Sequence, residues 1–273
     1  MDAIVVISDT HIGSNVGLCQ SPGIRLDEGG ISAQNVFQET LWRFWQHYWN
    51  TWIPEITKGV KSRTLVHNGD IIEGSHHHQT DNVPNIDNQE VAAVEILKPV
   101  VKEFDRFYSI RGTEAHGDVA DQSTERIAKE LSAVKEQDTG RYSRQELWLD
   151  CNGVINQFAH HLGMTTSAAY ETSAPMRELI STLIEAAQWN RPLPHIVWRS
   201  HRHRYTRVPV PTEVADIELV VTPCWQLKTA YIYKIDRTRM PHIGGVVALI
   251  EKDKSWQIKR KLYPLPQPII EKI

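Results

Sequence analysis

Thirteen histidines stand in this chain of 273 residues, and they cluster as His76–His77–His78, His160–His161, and His201 with His203. Carboxylates fall beside other histidines: Asp9 and His11 flank Thr10, Glu114 and His116 flank Ala115, and Asp70 follows Asn68–Gly69. Carboxylate oxygen and imidazole nitrogen together suit divalent manganese, iron or zinc. On an extended segment residues i and i+2 point to the same side, so Asp-x-His and His-x-His each aim two ligands at one place. One such pair is weak, because aspartate also caps helices and histidine is common in loops. Here Asp9/His11, Asp70, Glu114/His116, His160–His161 and His201/His203 follow five successive apolar runs, a pattern that chance does not supply. Asn68, Arg111 and Arg202 stand at the same breakpoints as substrate-contacting residues, and Arg199, Arg204 and Arg207 lie close by. A guanidinium can clamp phosphate with paired N–H donors, although a salt-bridged face accounts equally well for each arginine taken singly. For His76–His78 a solvated loop is favoured over a cleft wall.

The elements that must position these residues read as an alternation. Ile4–Ile7 is a buried strand breaking at Ser8–Asp9, and residues 33–52 form a helix with apolar residues three and four apart. Its tryptophans, Trp42, Trp45, Trp49 and Trp52, are read as packing rather than as a binding stripe. A strand over 63–67, a helix over 89–103 and a strand over 106–110 follow, then a helix capped by Asp121 and running to about 134. Strands 145–149 and 154–158 flank the turn Cys151–Asn152–Gly153, a helix spans 174–189, and Ile196–Trp198 is a strand entering Ser200–His203. From 204 onward the chain is strand-rich, over 204–209, 217–221, 231–235, 245–251 and 256–262, before a proline-rich extended tail, 264–273. Nothing in between reads as a linker or repeat, which predicts one domain over 1–273 built on two sheets. Ligands placed after strands lie at the carboxyl edge of a sheet, where α/β proteins hold them.

Composition narrows the function classes. Lys and Arg total 30 against 33 Asp and Glu, a formal charge of −3, so no global basic field draws long duplexes or anionic membranes. No apolar run approaches the roughly 20 residues needed to span a bilayer, and no basic segment leads into a cleavable apolar core at the start. A cytoplasmic protein without a membrane partner is expected. Three cysteines without a Cys-x-x-Cys argue against a disulfide framework and a thiolate zinc site. No GxxxxGK[ST] phosphate loop occurs.

The order Asp9–Thr10–His11, Gly69–Asp70, Gly112–Thr113–Glu114–Ala115–His116, His160 or His161, and Ser200–His201–Arg202–His203 resembles the calcineurin-like metallophosphoesterases over residues 1 to about 210. The Gly-Thr-Glu-Ala-His segment and Thr222–Gln226 also look like family members from phage and prophage genomes. The resemblance implies an α/β fold, a four-layer α/β/β/α sandwich of two mixed sheets flanked by helices. It implies two divalent ions, manganese first with iron, zinc or nickel as other fits: Asp9, His11 and His203 on one, His160 and His201 on the second, and Asp70 bridging. Two departures stand out. Ser200 replaces a usual glycine, and the family's Asn-His pair is altered. Either Glu114 replaces the asparagine as ligand with His116 as proton donor, the alignment favoured because a carboxylate ligates better than a threonine hydroxyl, or Thr113 aligns with the asparagine.

The function so implied is hydrolysis of phosphate esters by a hydroxide bridging two metals, on a nucleic acid, a nucleotide or another ester, with no covalent intermediate. The alternative is a non-catalytic, metal-stabilised binding or scaffold protein that keeps the fold.

Overall fold

The computed structural model describes residues 1–75, 82–83, 85–116, 122–163, 167–213, 216–236 and 238–272. His76–His78 and the expected cap Asp121 lie outside the described residues. In chain order the elements are β1 (Asp2–Ile7), β2 (Gly23–Arg25), β3 (Ile31–Ala33), α1 (Val36–His47), α2 (Ile53–Ile56), β4 (Arg63–Asn68), α3 (Ile86–Val101), β5 (Arg106–Ile110), α4 (Gln122–Glu130) and β6 (Ser143–Arg144). They continue with β7 (Leu147–Cys151), β8 (Val154–Phe158), α5 (Ser173–Gln188), β9 (Ile196–Arg199), β10 (Thr206–Pro211), β11 (Asp216–Val221), α6 (Ala230–Ile235), β12 (Ile243–Ile250) and β13 (Trp256–Tyr263).

Two mixed sheets carry the molecule, one ordered β13-β12-β1-β4-β5-β6 and one β10-β11-β9-β8-β7, beside the small ribbon β2-β3. In the first, β1, β4 and β5 run parallel; in the second, β8, β9 and β11 do. The period-two alternation of β1 sends its two faces into different cores. Ala3, Val5 and Ile7 pack with residues of α1, α3 and α4, whereas Ile4 and Val6 meet Phe158, Trp198 and Val220 of the second sheet. The outer face of that sheet packs Val197, Leu219 and Val221 against Leu179 of α5. Helices, sheet, sheet and helix are therefore stacked as the four-layer α/β/β/α sandwich.

Local chemistry explains the boundaries. Asn35 caps α1 by accepting from the backbone N–H groups of Phe37 and Gln38, and the Gln38 side chain accepts from Asn35 N in return, a capping box. The helix continues through a π-helical turn at Tyr48–Trp52. Trp45 is buried in edge contact with Trp225 at 4.9 Å, and Trp42, Trp49 and Trp52 pack against the same core, so the tryptophan stripe is packing. Asn152 (φ 51°) and Gly153 (φ 82°) make the two-residue turn between β7 and β8, whose left-handed pair suits Asn-Gly.

One expected strand is a helix. Tyr231–Ile235 lies in α6, because Thr229 Oγ1 caps it by accepting from Ile232 N, and the segment pairs with neither sheet. The β2-β3 ribbon was not foreseen, since residues 23–33 are short, glycine-rich and carry no alternation. Among the described residues, no helix is long and apolar enough to cross a membrane.

Candidate metal centre

The parallel strands β1, β4, β5, β8 and β9 end at one edge of the sandwich, and their next residues are tied together by backbone bonds. Asp9 N donates to Gly69 O at 2.9 Å, His11 N to Asp70 O at 3.2 Å, Ser200 N to His160 O at 2.8 Å and His242 N to His203 O at 2.8 Å. Asp9 (φ 51°), His11 (43°), Asp70 (52°), His201 (68°) and His203 (55°) all hold the left-handed conformation that residues other than glycine avoid. Each costs on the order of 1–2 kcal/mol, and such outliers gather where geometry serves a site. Two glycines let the loops close. A Cβ on Gly69 would sit 2.2 Å from His160 Nδ1, and one on Gly112 2.0 Å from Asp70 Oδ1.

Three overlapping sets of side chains could hold a metal ion, their donor atoms within 4.8 Å of one another: Asp9/His11/His203, His11/Asp70/His116 and Asp70/His160/His201. The donor atoms of these sets are turned toward one another. His11 Nδ1 lies 3.0 Å from Glu73 Oε2, which leaves His11 Nε2 facing His203 Nε2 at 3.1 Å. Asp9 Oδ1 stands 3.3 Å from His203 Nε2 and 3.9 Å from His11 Nε2. Both Asp9 oxygens are buried and accept no hydrogen bond. In the same way His160 Nδ1 donates to Asn68 O at 2.6 Å, and its Nε2 faces Asp70 Oδ2 at 3.0 Å. The two Asp9 oxygens, buried without a hydrogen-bond donor, lack a partner, and a carboxylate–imidazole set is a good divalent-cation donor set. The residues present fit the ions.

Burial disfavours the His160 imidazolium, yet Asp70 and Asp9 outweigh it and raise His160 to about 9. Burial would raise Asp70 and Asp9, but His160 and further histidines hold both carboxyls below the usual range. His203 is raised because Cys224 and Asp9 outweigh its burial, whereas burial and then His116 lower His11. Behind the cluster, burial pushes His67 down to about 3.

The structure thus brings Asp9, His11, Asp70, His116, His160, His201 and His203 together. It does not bring Glu114, which is exposed on the 3₁₀ turn Glu114–His116. The residue of that segment touching Asp70 is Thr113, whose N–H donates to Oδ1 at 2.8 Å and whose Oγ1 lies 3.2 Å from it. The tight Gly112 turn sets Thr113 against Asp70 and rotates the next side chain to solvent. His161 is exposed, its ring 4.7 Å from that of His201, while His160 is buried.

The three expected substrate contacts are engaged elsewhere. Asn68 is buried, donating to Ser200 Oγ at 2.7 Å and Ala159 O at 3.2 Å, a brace between the two sheets. Arg111 Nε donates to Ser143 Oγ at 3.1 Å. Arg202 lies between His201 and His203, and its buried guanidinium binds Glu171 Oε1 at 2.9 Å and Glu171 O at 3.0 Å. Glu73 and Gln226 were missed. Buried Glu73 holds His11 through Oε2 and accepts from His116 Nδ1 through its backbone oxygen at 2.7 Å, while Gln226 Nε2 donates to Glu73 Oε2 at 2.8 Å. A carboxylate three residues after Asp70 in an otherwise apolar Ile-Ile step was the available signal.

No protein-family model matches the sequence, and no curated protein matches it. Among solved structures the fold is similar to Vps29 of Entamoeba histolytica, crystallised with zinc, at 9% identity over 95% of this chain and 98% of that one, with a TM-score of 0.41. It is similar to Vps29 of Chaetomium thermophilum at 9% identity over 98% of both chains, TM-score 0.40. A metallophosphoesterase of Sphaerobacter thermophilus is similar at 10% identity over 97% of this chain and 89% of that one, TM-score 0.40. Likeness at this level adds nothing to what the residues themselves say about function.

Proposed function

We propose that the chain is a calcineurin-like metallophosphoesterase that hydrolyses phosphate esters with two divalent ions, manganese foremost. The observation that carries this is the convergence of two adjoining donor sets, Asp9/His11/His203 and Asp70/His160/His201, in which both buried Asp9 oxygens accept no hydrogen bond and His160 Nε2 stands 3.0 Å from Asp70 Oδ2. Asp9, His11 and His203 would hold one ion and His160 and His201 the other, with Asp70 between them. When bound, such a pair activates water and neutralises charge on a phosphoryl group.

The chain's own residues do the rest. Glu73 fixes the His11 ring, and Asn68 O fixes the His160 tautomer, so both Nε2 atoms stay aimed at the cluster. Thr113 N–H orients Asp70 Oδ1. His116 gives its Nδ1 proton to Glu73 O, which turns Nε2 toward the cluster, where, protonated, it would pass a proton to the departing ester oxygen. No serine or cysteine nucleophile is called for.

The test is elemental analysis of protein made without a histidine tag and supplied with manganese, together with hydrolysis of bis(4-nitrophenyl) phosphate with and without chelator. About two ions per chain and hydrolysis that stops in chelator and returns with Mn²⁺ are expected. Adventitious metal only, or hydrolysis indifferent to chelator, overturns the proposal.

A further inference from the structure

Four arginine or lysine side chains are buried among the described residues: Arg144, Arg199, Arg202 and Lys228. Three have acceptors. Arg144 donates to Val134 O, Arg199 to Glu178 and Gln157, and Arg202 to Glu171. Lys228 is 7% exposed, and its Nζ is shielded from solvent without a hydrogen-bond partner. Its one neighbour of note is the Tyr233 ring of α6, whose centroid lies 4.5 Å away. A ring face offsets only part of what an ammonium loses with its water, and a buried charge without a counter-charge works against the fold. Such a group is kept for something it meets from outside.

Its place says what. Trp225 N donates to Asp9 O at 2.9 Å and Leu227 N to Val16 O at 2.8 Å, so the segment carrying Lys228 runs along the rim of the metal centre. Gln226, two residues before, reaches Glu73 and Ser14. Lys228 thus follows by two residues a side chain that braces Glu73, the carboxylate holding His11, and belongs to none of the three donor sets. The ring beside it is half-exposed, on a six-residue helix that also carries the exposed Tyr231.

We propose that Lys228 receives a second, non-reacting phosphate of the substrate, with Tyr233 swinging aside to flank the group that carries it. The inference rests on the phosphoesterase reading and narrows it to esters with two phosphates one residue apart, as in a phosphorylated nucleotide or an oligonucleotide. A charge-assisted bond to such a phosphate is worth about tenfold or more in affinity.

The test compares three manganese-loaded substrates sharing one leaving group: thymidine 5′-(4-nitrophenyl phosphate), the same ester with a 3′-phosphate, and the same ester extended by one 3′-nucleotide. Wild-type KM should be about tenfold or more lower for the second or third than for the first. Lys228→Met should abolish that ratio and Lys228→Arg should retain it. The larger gain tells a terminal phosphate from a chain phosphate. Because Met removes an uncompensated buried charge, its Tm should equal or exceed that of wild type, which a merely structural lysine would not allow. A ratio unchanged in Lys228→Met, or equal KM values for all three in wild type, overturns the inference. If wild type hydrolyses none of them, the phosphoesterase reading fails. Calorimetry with pyrophosphate then decides Lys228 separately: binding lost in Lys228→Met upholds the subsite, and equal or absent binding in wild type rejects it.

Discussion

Replacing Gly112 by alanine adds one methyl group at the point where two loops of the metal centre touch. The added Cβ would lie 2.0 Å from Asp70 Oδ1 and 2.4 Å from Asp70 N. Ordinary contact begins near 3.4 Å, and because one of the atoms struck is backbone, no side-chain rotation relieves the clash. The two loops must part by about 1 Å, which also breaks the 2.8 Å bond from Thr113 N to Asp70 Oδ1. Gly112 is not among the left-handed residues, so the effect is steric and not conformational. Overpacking of this kind costs about 1–3 kcal/mol, or roughly 2–5 °C in Tm for a chain of this size. A displacement of about 1 Å of a group that positions the chemistry costs on the order of 10²-fold in rate. The assay is a melting curve, a chelator competition for manganese, and hydrolysis of bis(4-nitrophenyl) phosphate. Gly163→Ala is the control, because nothing lies within 4 Å of its Cβ. A Gly112→Ala protein that melts, binds manganese and turns over like wild type would refute the placement of Asp70 against the Gly112 turn.

The segment after Gly112 gives a second expectation. Glu114→Ala should leave metal content and turnover within about twofold of wild type, since the side chain is exposed, whereas Thr113→Val should weaken metal binding severalfold by removing the hydroxyl beside Asp70. Elemental analysis at limiting manganese reads both, and metal loss on Glu114→Ala would return that residue to the ligand set. A third concerns acid stability. His67, whose Nε2 donates to Thr10 Oγ1 at 3.1 Å, is buried and pushed from 6.5 to about 3, so between those values the unfolded chain binds a proton that the folded chain refuses. Stability from this group is complete above pH 6.5 and falls as pH drops, by about 2 kcal/mol at pH 5. In chelator-treated protein, urea unfolding at pH 7 and pH 5 should show His67→Gln losing about 2 kcal/mol less than wild type between the two, and identical losses would contradict a neutral buried His67.

Much of the site was legible because its residues follow strands, and a strand's end can be read where an apolar run breaks. Asp9, His11, Asp70, His160, His201 and His203 needed only that; the i, i+2 rule did not serve, because Asp9, His11, His201 and His203 are left-handed and His201 and His203 fall in different donor sets. The side-by-side arrangement of β1, β4 and β5, and of β8 and β9, is likewise written in the alternation of apolar strands with amphipathic helices. Which side chain of Gly-Thr-Glu-Ala-His would face Asp70 was not, because spacing alone cannot tell which way a turn rotates, and the close approach at Gly112 chose Thr113. Glu73 hid in an apolar step, since its use depends on Gln226, 153 positions along the chain, arriving beside it. The aromatic β-formers of Tyr231–Ile235 favoured a strand, but in the fold the segment pairs with neither sheet, and Thr229 Oγ1, accepting from Ile232 N, caps a helix instead. Asn68, Arg111 and Arg202 have the chemistry to hold a phosphate. Their direction was set by Ser200, Ser143 and Glu171, partners brought in by folding, and no property of the three residues by themselves names those partners.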